Sequence, residues 1–297
     1  MANPRAIDQT AILAMVVLCA SWGFQQVAVK VALPEVEPIA QAAIRSIGAA
    51  GLVGAWAWST RRDLRLDDGT FWPGIVTGTV FAVEFLLLFL AIARTDAGRV
   101  VMLLYTAPFV VAIGARFLPT PEALTIDRWI GVGIAFLGLA ILLSPSATLV
   151  GPSLAGDLMA LGAGILWGLT TLIIKATKLR SAEPAKVLLY QLAVSAILLL
   201  VMSTAAGEAW RWPTRPIIWA AILYQTVWVT TVTYLVWFAL VARYPPARLS
   251  VLSFLSPLFG VLFGHLVLGE ALTGPLVLSL LMVTAGIVLV NRPARPI

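Results

Sequence analysis

Cysteine and histidine are nearly missing from this chain, which has one of each, Cys19 and His265. A lone thiol excludes an internal disulfide framework, and one imidazole beside it excludes a zinc centre built on Cys or on a His-Glu-x-x-His helix. Charge is scarce too. Asp, Glu, Lys and Arg are 11% of the 297 residues, against roughly 25% in an ordinary soluble domain, while 60% are hydrophobic. So little polar material excludes a water-soluble fold. The roughly ten-residue alternating segments of a membrane β-barrel are also missing. The net charge of +6 does not indicate nucleic acid, because the cations are spread between apolar runs and not gathered on one solvated face. No metal site and no cofactor is expected.

What the sequence does contain is a series of apolar runs of membrane-spanning length. They fall at Ala11–Leu33, Pro38–Ser59, Trp72–Ala93, Gly98–Leu118, Asp127–Ser144, Leu154–Thr177, Ala185–Ala206, Pro216–Leu240, Arg248–Leu268 and Thr273–Val290. The first is too long for a signal peptide and counts as a span. With the N-terminus inside, fourteen of the twenty Lys and Arg residues lie in inner segments, five in outer loops and Arg45 within the second span. Cytoplasmic loops keep the cations, so both termini are expected in the cytoplasm, and the loop cations are expected to be anchors in water. Eight tryptophans fall near span ends, as interfacial anchoring predicts, whereas Trp22, Trp167 and Trp228 lie near span centres and should face protein or a cavity.

The chain repeats at a spacing of about 145 to 149 residues. Trp22-Gly23 with Lys30 recurs as Trp167-Gly168 with Lys175, and Pro38 recurs as Pro184. Ala93-Arg94, Arg99 and Pro108 recur as Ala242-Arg243, Arg248 and Pro257. Each unit holds five spans, and an odd number makes the second unit enter the membrane from the opposite side. The expected fold is an all-α integral membrane protein of ten transmembrane helices, built as two inverted five-helix repeats at 1–148 and 149–297. Pro108 and Pro257 should break spans four and nine, each crowding the carbonyl four residues earlier, at Leu104 and Ser253. Paired breaks of this kind point to a transporter's midplane site and make both prolines hinge candidates. Gly164-x-x-x-Gly168 and Gly260-x-x-x-Gly264 should let helix backbones approach closely.

Several segments resemble the drug/metabolite transporter superfamily, specifically its EamA-type ten-helix exporters. They are Ala20-Ser21-Trp22-Gly23, Gly156-Asp157, Leu255-Ser256-Pro257-Leu258-Phe259, Leu268-Gly269-Glu270 and Gly286-Ile287-Val288-Leu289-Val290. The likeness runs over nearly the whole chain and looks greatest to bacterial exporters of aromatic amino acids. It implies a multi-pass protein of the bacterial inner membrane that exports amino acids or similar small metabolites. Other members of the superfamily carry drugs or nucleotide sugars. Leu118-Pro119-Thr120-Pro121-Glu122 departs from the family's usual Leu-Gly-Glu.

Polar groups within the spans are the candidate substrate contacts. Glu84, on one face of span three with Thr77, Phe81 and Leu88, is a carboxylate at membrane depth, where it must pair, protonate or act; Arg45 is its candidate partner. Trp22 and Gln25 in span one, Tyr105 in span four, Trp167 and Thr171 in span six, and Tyr224 and Trp228 in span eight are aromatic groups with polar neighbours. His265 is expected to be a satisfied buried imidazole. An enzyme would need a nucleophile with its base, a pair of acids or a metal set, which this inventory lacks. A channel would not need the inverted repeat. A carrier for a small-molecule substrate in the lipid bilayer is the expected function, with a nucleotide-sugar carrier of the same superfamily as the alternative.

Overall fold

The computed structural model describes residues 8–118, 126–143, 154–241, 243–244, 249, 252–253 and 255–290. Among them every regular element is helical. In chain order these are α1 (Gln9–Ala32), α2 (Pro38–Ser59), α3 (Phe71–Ile92), α4 (Ala97–Leu104), α5 (Ala107–Gly114), α6 (Ile126–Leu143), α7 (Leu154–Ala176), α8 (Pro184–Ala205), α9 (Pro216–Leu223), a π-helical segment (Tyr224–Thr233), α10 (Tyr234–Val241), α11 (Leu255–Leu268) and α12 (Gly274–Val290). The fourth apolar run is split into α4 and α5, and the eighth comprises α9, the π segment and α10. Six stretches are long and apolar enough to cross a membrane, and Trp129–Leu143, Leu255–Leu268 and Gly274–Leu289 are shorter apolar helices. Large apolar side chains cover the outside, among them Leu13, Ile197, Leu266 and Leu281. An apolar surface of that extent suits lipid, not water. The chain is a multi-pass membrane protein.

The helix ends follow from local chemistry. Asp8 caps α1 by accepting from the Ala11 N–H at 2.8 Å. Pro38, Pro184 and Pro216 occupy first turns, where a missing N–H costs nothing. Carboxylates then tie loops together. Glu208 accepts from Ile39 N and Ala40 N at the start of α2, and Glu35 accepts from Arg215 Nε at 2.6 Å. At the opposite ends of α2 and α8, Arg62 meets Glu183 at 3.3 Å and Lys186 meets Asp68 at 2.6 Å.

Helix pairing carries the internal repeat into three dimensions. α2 packs on α8, α4 on α11 and α6 on α12; α3 meets α7 as α9 and the π segment meet α1; α3 meets α8 as the π segment meets α2. Exchanging every span with the one five places along reproduces this set of pairs. Atomic contacts repeat as well. Thr95 Oγ1 donates to Asp157 Oδ1 at 2.8 Å, and Tyr244 Oη donates to Asp8 Oδ2 at 2.8 Å. Residue 95 corresponds to 244 and residue 8 to 157. A Cβ on Gly168 would fall 2.6 Å from Val110 Cβ and 3.1 Å from the Ala107 carbonyl oxygen. One on Gly23 would fall 2.8 Å from Phe259 Cβ and 2.9 Å from the Ser256 carbonyl oxygen. Such close approaches matter in a bilayer, where apolar burial alone does not drive helices together.

Both proline positions mark helix breaks. α4 stops at Leu104 and α5 begins at Ala107 with Pro108 in its first turn. Gly164 lies against this break, where a Cβ would come within 2.8 Å of the Leu103 and Leu104 carbonyl oxygens. Pro257 lies in the first turn of α11, and the Ser253 carbonyl that it cannot satisfy accepts instead from Tyr105 Oη at 3.1 Å. The π segment has no signature in the apolar pattern. Its threonines hold it: Thr230 Oγ1 donates to Gln225 O at 2.8 Å and Thr231 Oγ1 to Thr226 O at 3.0 Å, both five residues back.

Three expectations need correction. Arg99 is not an anchor in water but is 3% exposed and paired with Asp157, because the start of α7 brings a buried carboxylate to it. Lys186 is also buried, held by Asp68 and the Arg65 carbonyl. His265 is exposed, with Nδ1 2.9 Å from the Glu270 carbonyl oxygen. Pro119-Thr120-Pro121-Glu122, Ala242 and Arg248 lie outside the described residues.

Candidate functional site

The polar aromatics of α1 and span eight come together. Trp22 Nε1 donates to Thr233 Oγ1 at 2.9 Å, Trp228 Nε1 to Ser21 Oγ at 2.9 Å, and Tyr224 Oη to the Ser21 carbonyl at 2.9 Å. Trp22 also packs edge-on against Trp237, with ring centroids 5.8 Å apart. Three candidates from sequence therefore share one seam between α1 and the π segment. Thr233 was not singled out by sequence, since nothing in spacing reveals its contact with Trp22 across 211 positions, and Ser21 stood out only as part of a family segment. Gln25 is buried on the same helix, and its neighbour Gln26 leaves Oε1 without a partner.

Tyr105 and Trp167 form a second group, ring edge to face at 5.5 Å, beside the α4–α5 break. Thr171 does not add a free hydroxyl, because its Oγ1 donates to the Trp167 carbonyl at 3.2 Å. Glu84 stands on α3. Its face of α3 is buried as the spacing predicts, with Thr77, Phe81 and Leu88 all at most 4% exposed. Arg45 of α2 places its Cζ 3.6 Å above the Phe85 ring, yet no ion pair joins Arg45 to Glu84, and Oε2 of Glu84 has no partner. The candidate Arg45–Glu84 ion pair is thus not formed. Tyr234 of α10 packs against the core that contains Tyr105, Phe85 and Phe89, and it is close enough to Arg45, Glu84 and Tyr105 for electrostatic coupling. Tyr234 too went unmarked in the sequence.

A charged cluster closes one end of the bundle. Lys30 Nζ donates to Glu270 Oε1 at 3.0 Å and lies 3.7 Å from Asp96 Oδ1. Glu270 in turn accepts from Ala97 N at 2.7 Å and Gly98 N at 3.0 Å, capping α4 where the helix dipole favours an anion. Gly269, at φ +69°, supplies the left-handed turn that presents this carboxylate. Burial and the neighbouring Glu270 charge push the Asp96 carboxyl above its usual range. These contacts link span one to the starts of spans four and ten. Among the described residues, no group of His, Cys, Asp and Glu could hold a metal ion.

Known proteins share this arrangement of helices. A crystal structure aligns with TM-score 0.68 over 94% of this chain and 95% of its own, at 18% identity, which shows a shared fold. The uncharacterized transporter YvbV of Bacillus subtilis is 27% identical, with 97% of this chain and 93% of that one covered. A probable amino-acid metabolite efflux pump of Salmonella typhimurium is 27% identical, covering 92% of this chain and 94% of its own. The threonine/homoserine exporter RhtA of the same species is 29% identical over 67% of this chain and 64% of its own. The profile of the EamA-like transporter family matches twice, at residues 9–144 and 154–292, one match to each half. The chain belongs to the EamA-like transporter family.

Proposed function

We propose that the protein is a secondary carrier of amino acids or closely similar small metabolites, working by alternating access, and not an enzyme. The observation that carries this reading is the repeated helix pairing with a broken helix in each half, at Pro108 and Pro257. Two equivalent halves can exchange conformations, so a site between them opens to one side and then the other. In this reading the ten spans form two inverted units, residues 1–148 and 149–297, in a bacterial inner membrane with both termini cytoplasmic. The prolines act as hinges. Trp22, Tyr224 and Trp228 line one wall with Gln25, and Tyr105, Trp167 and Thr171 the other, and Glu84 of α3 is the acidic group.

The amino-acid efflux pump and exporter among the relatives support the substrate class. A nucleotide-sugar carrier would want several convergent cations for its phosphates. Here Lys30 is held by Glu270 and Asp96, which leaves Arg45, among the described residues, as the buried cation without an ion-pair partner. Ligand-induced stabilisation tests the reading: a ligand at a hundred times its Kd stabilises by about 2.7 kcal/mol. Screening the purified protein's melting temperature against the twenty amino acids and a set of nucleotide sugars should give shifts with a subset of amino acids. Shifts with nucleotide sugars alone would reverse the assignment.

A further inference from the structure

Arg45 is 1% exposed and Glu84 4%, and each acts electrostatically on the other across the packed core of α2 and α3. They do not meet. Nε and Nη2 of Arg45 and Oε2 of Glu84 have no hydrogen-bond partner. Leaving opposite charges buried and unjoined is strongly unfavourable in a static core, where pairing or replacement by apolar groups would be better. The pattern of unpaired atoms is specific. Phe85, 3.6 Å from Arg45 Cζ, covers a face of the guanidinium plane, and Phe89 follows at 5.7 Å. The edge left bare is Nε with Nη2, the side-on fork that matches both oxygens of a carboxylate. Glu84 Oε2 is the complementary acceptor for an ammonium group. Tyr234, packed against the same core, is near enough to act electrostatically on both.

We infer that Arg45 and Glu84 together bind the head group of a free amino acid, the Arg45 fork taking the α-carboxylate and Glu84 Oε2 the α-ammonium. The inference rests on the amino-acid reading above and adds the two residues that recognise the zwitterion. One ligand with both charges satisfies both buried groups, whereas an amine or an acid alone leaves one of them unpaired. Discrimination therefore falls on the head group, as sites built on buried polar groups discriminate against ligands that leave them unmatched. In this conformation both side chains are shielded, so the ligand reaches them when α2 parts from the π segment Tyr224–Thr233 against which it packs.

The test is counterflow in liposomes holding the full chain, using whichever labelled amino acid the wild type carries. The competitors are that amino acid, its decarboxylated amine and its deaminated acid. The amine and the acid are each expected to compete about tenfold or more weakly. Arg45→Gln should abolish the preference over the amine and keep that over the acid; Glu84→Gln should do the reverse. A packing role for either residue would not produce this crossed pattern. Amine or acid competing as well as the amino acid in the wild type would overturn the inference, as would a folded Arg45→Gln or Glu84→Gln protein with wild-type preferences. If a variant fails to fold, the wild-type competition decides. A wild type that carries no amino acid at all overturns the amino-acid reading itself, and the inference with it.

Discussion

At the scale of single residues, charges in the apolar interior fall into two kinds. Arg99 and Asp157 are joined: Nε lies 3.2 Å from Asp157 Oδ1, Nη2 also contacts Oδ2, and Thr95 adds a hydrogen bond to the carboxylate. Removing one partner leaves the other buried and uncompensated, so Asp157→Ala should lower stability by about 3–5 kcal/mol. Glu183→Ala, which breaks the partly exposed pair with Arg62, should cost about 1 kcal/mol or less. Equilibrium unfolding of both variants in detergent checks the contrast, and equal losses would contradict it. Sequence revealed Glu84 because a carboxylate inside an apolar run is conspicuous. It hid Arg99 and Asp157, which stand at span ends where a charge normally reaches water; only the tertiary fold brings them together across 58 positions.

At the scale of elements, span limits were legible to within about two residues wherever a run ended at Pro, Gly or charge; Pro38–Ser59 matches at both ends. The proline breaks were legible for the same local reason. The π segment was not, because its cause is a set of threonine hydroxyls competing for backbone carbonyls, which apolar periodicity does not register. Packing at the breaks gives a sharp prediction. Gly164→Ala would place its Cβ 2.3 Å from Thr106 Oγ1 and 2.7 Å from the Leu104 carbonyl oxygen, so it should destabilise by about 1–3 kcal/mol. Gly133→Ala, with nothing within 4 Å, should be neutral or stabilising by up to about 1 kcal/mol. Melting temperatures that rank the two variants the other way would refute this packing.

The loop contacts give a pH dependence. The Arg215 side chain, followed by the Thr214 N–H, lowers the Glu35 carboxyl from 4.5 to about 2. A depressed folded-state value means that the contribution of this link is complete above the ordinary carboxylate range and is lost as pH falls through about 2. Wild type should therefore melt above Glu35→Gln at neutral pH, and the gap should close as the pH falls from 4.5 toward 2. A gap that widens with acid would contradict the link.

At the scale of the whole molecule, the repeat was legible because Trp-Gly, Lys, Arg and Pro recur in order. The partners that make it a physical symmetry, Thr95 with Asp157 and Tyr244 with Asp8, became apparent only in the fold. The orientation proposed from the cations can be tested on a Cys19→Ala background. A cysteine replacing Arg211 should react with an impermeant reagent from outside and one replacing Asp67 should not; the opposite pattern would invert the topology.

The central claim, that the two halves alternate to carry amino acids, is tested most directly by uptake of labelled amino acids and nucleotide sugars into liposomes holding the purified chain, preloaded with the same unlabelled solute. The account predicts saturable exchange of a subset of amino acids that empty liposomes lack. Exchange of nucleotide sugars with no amino acid moved, or no exchange of either class, would contradict it.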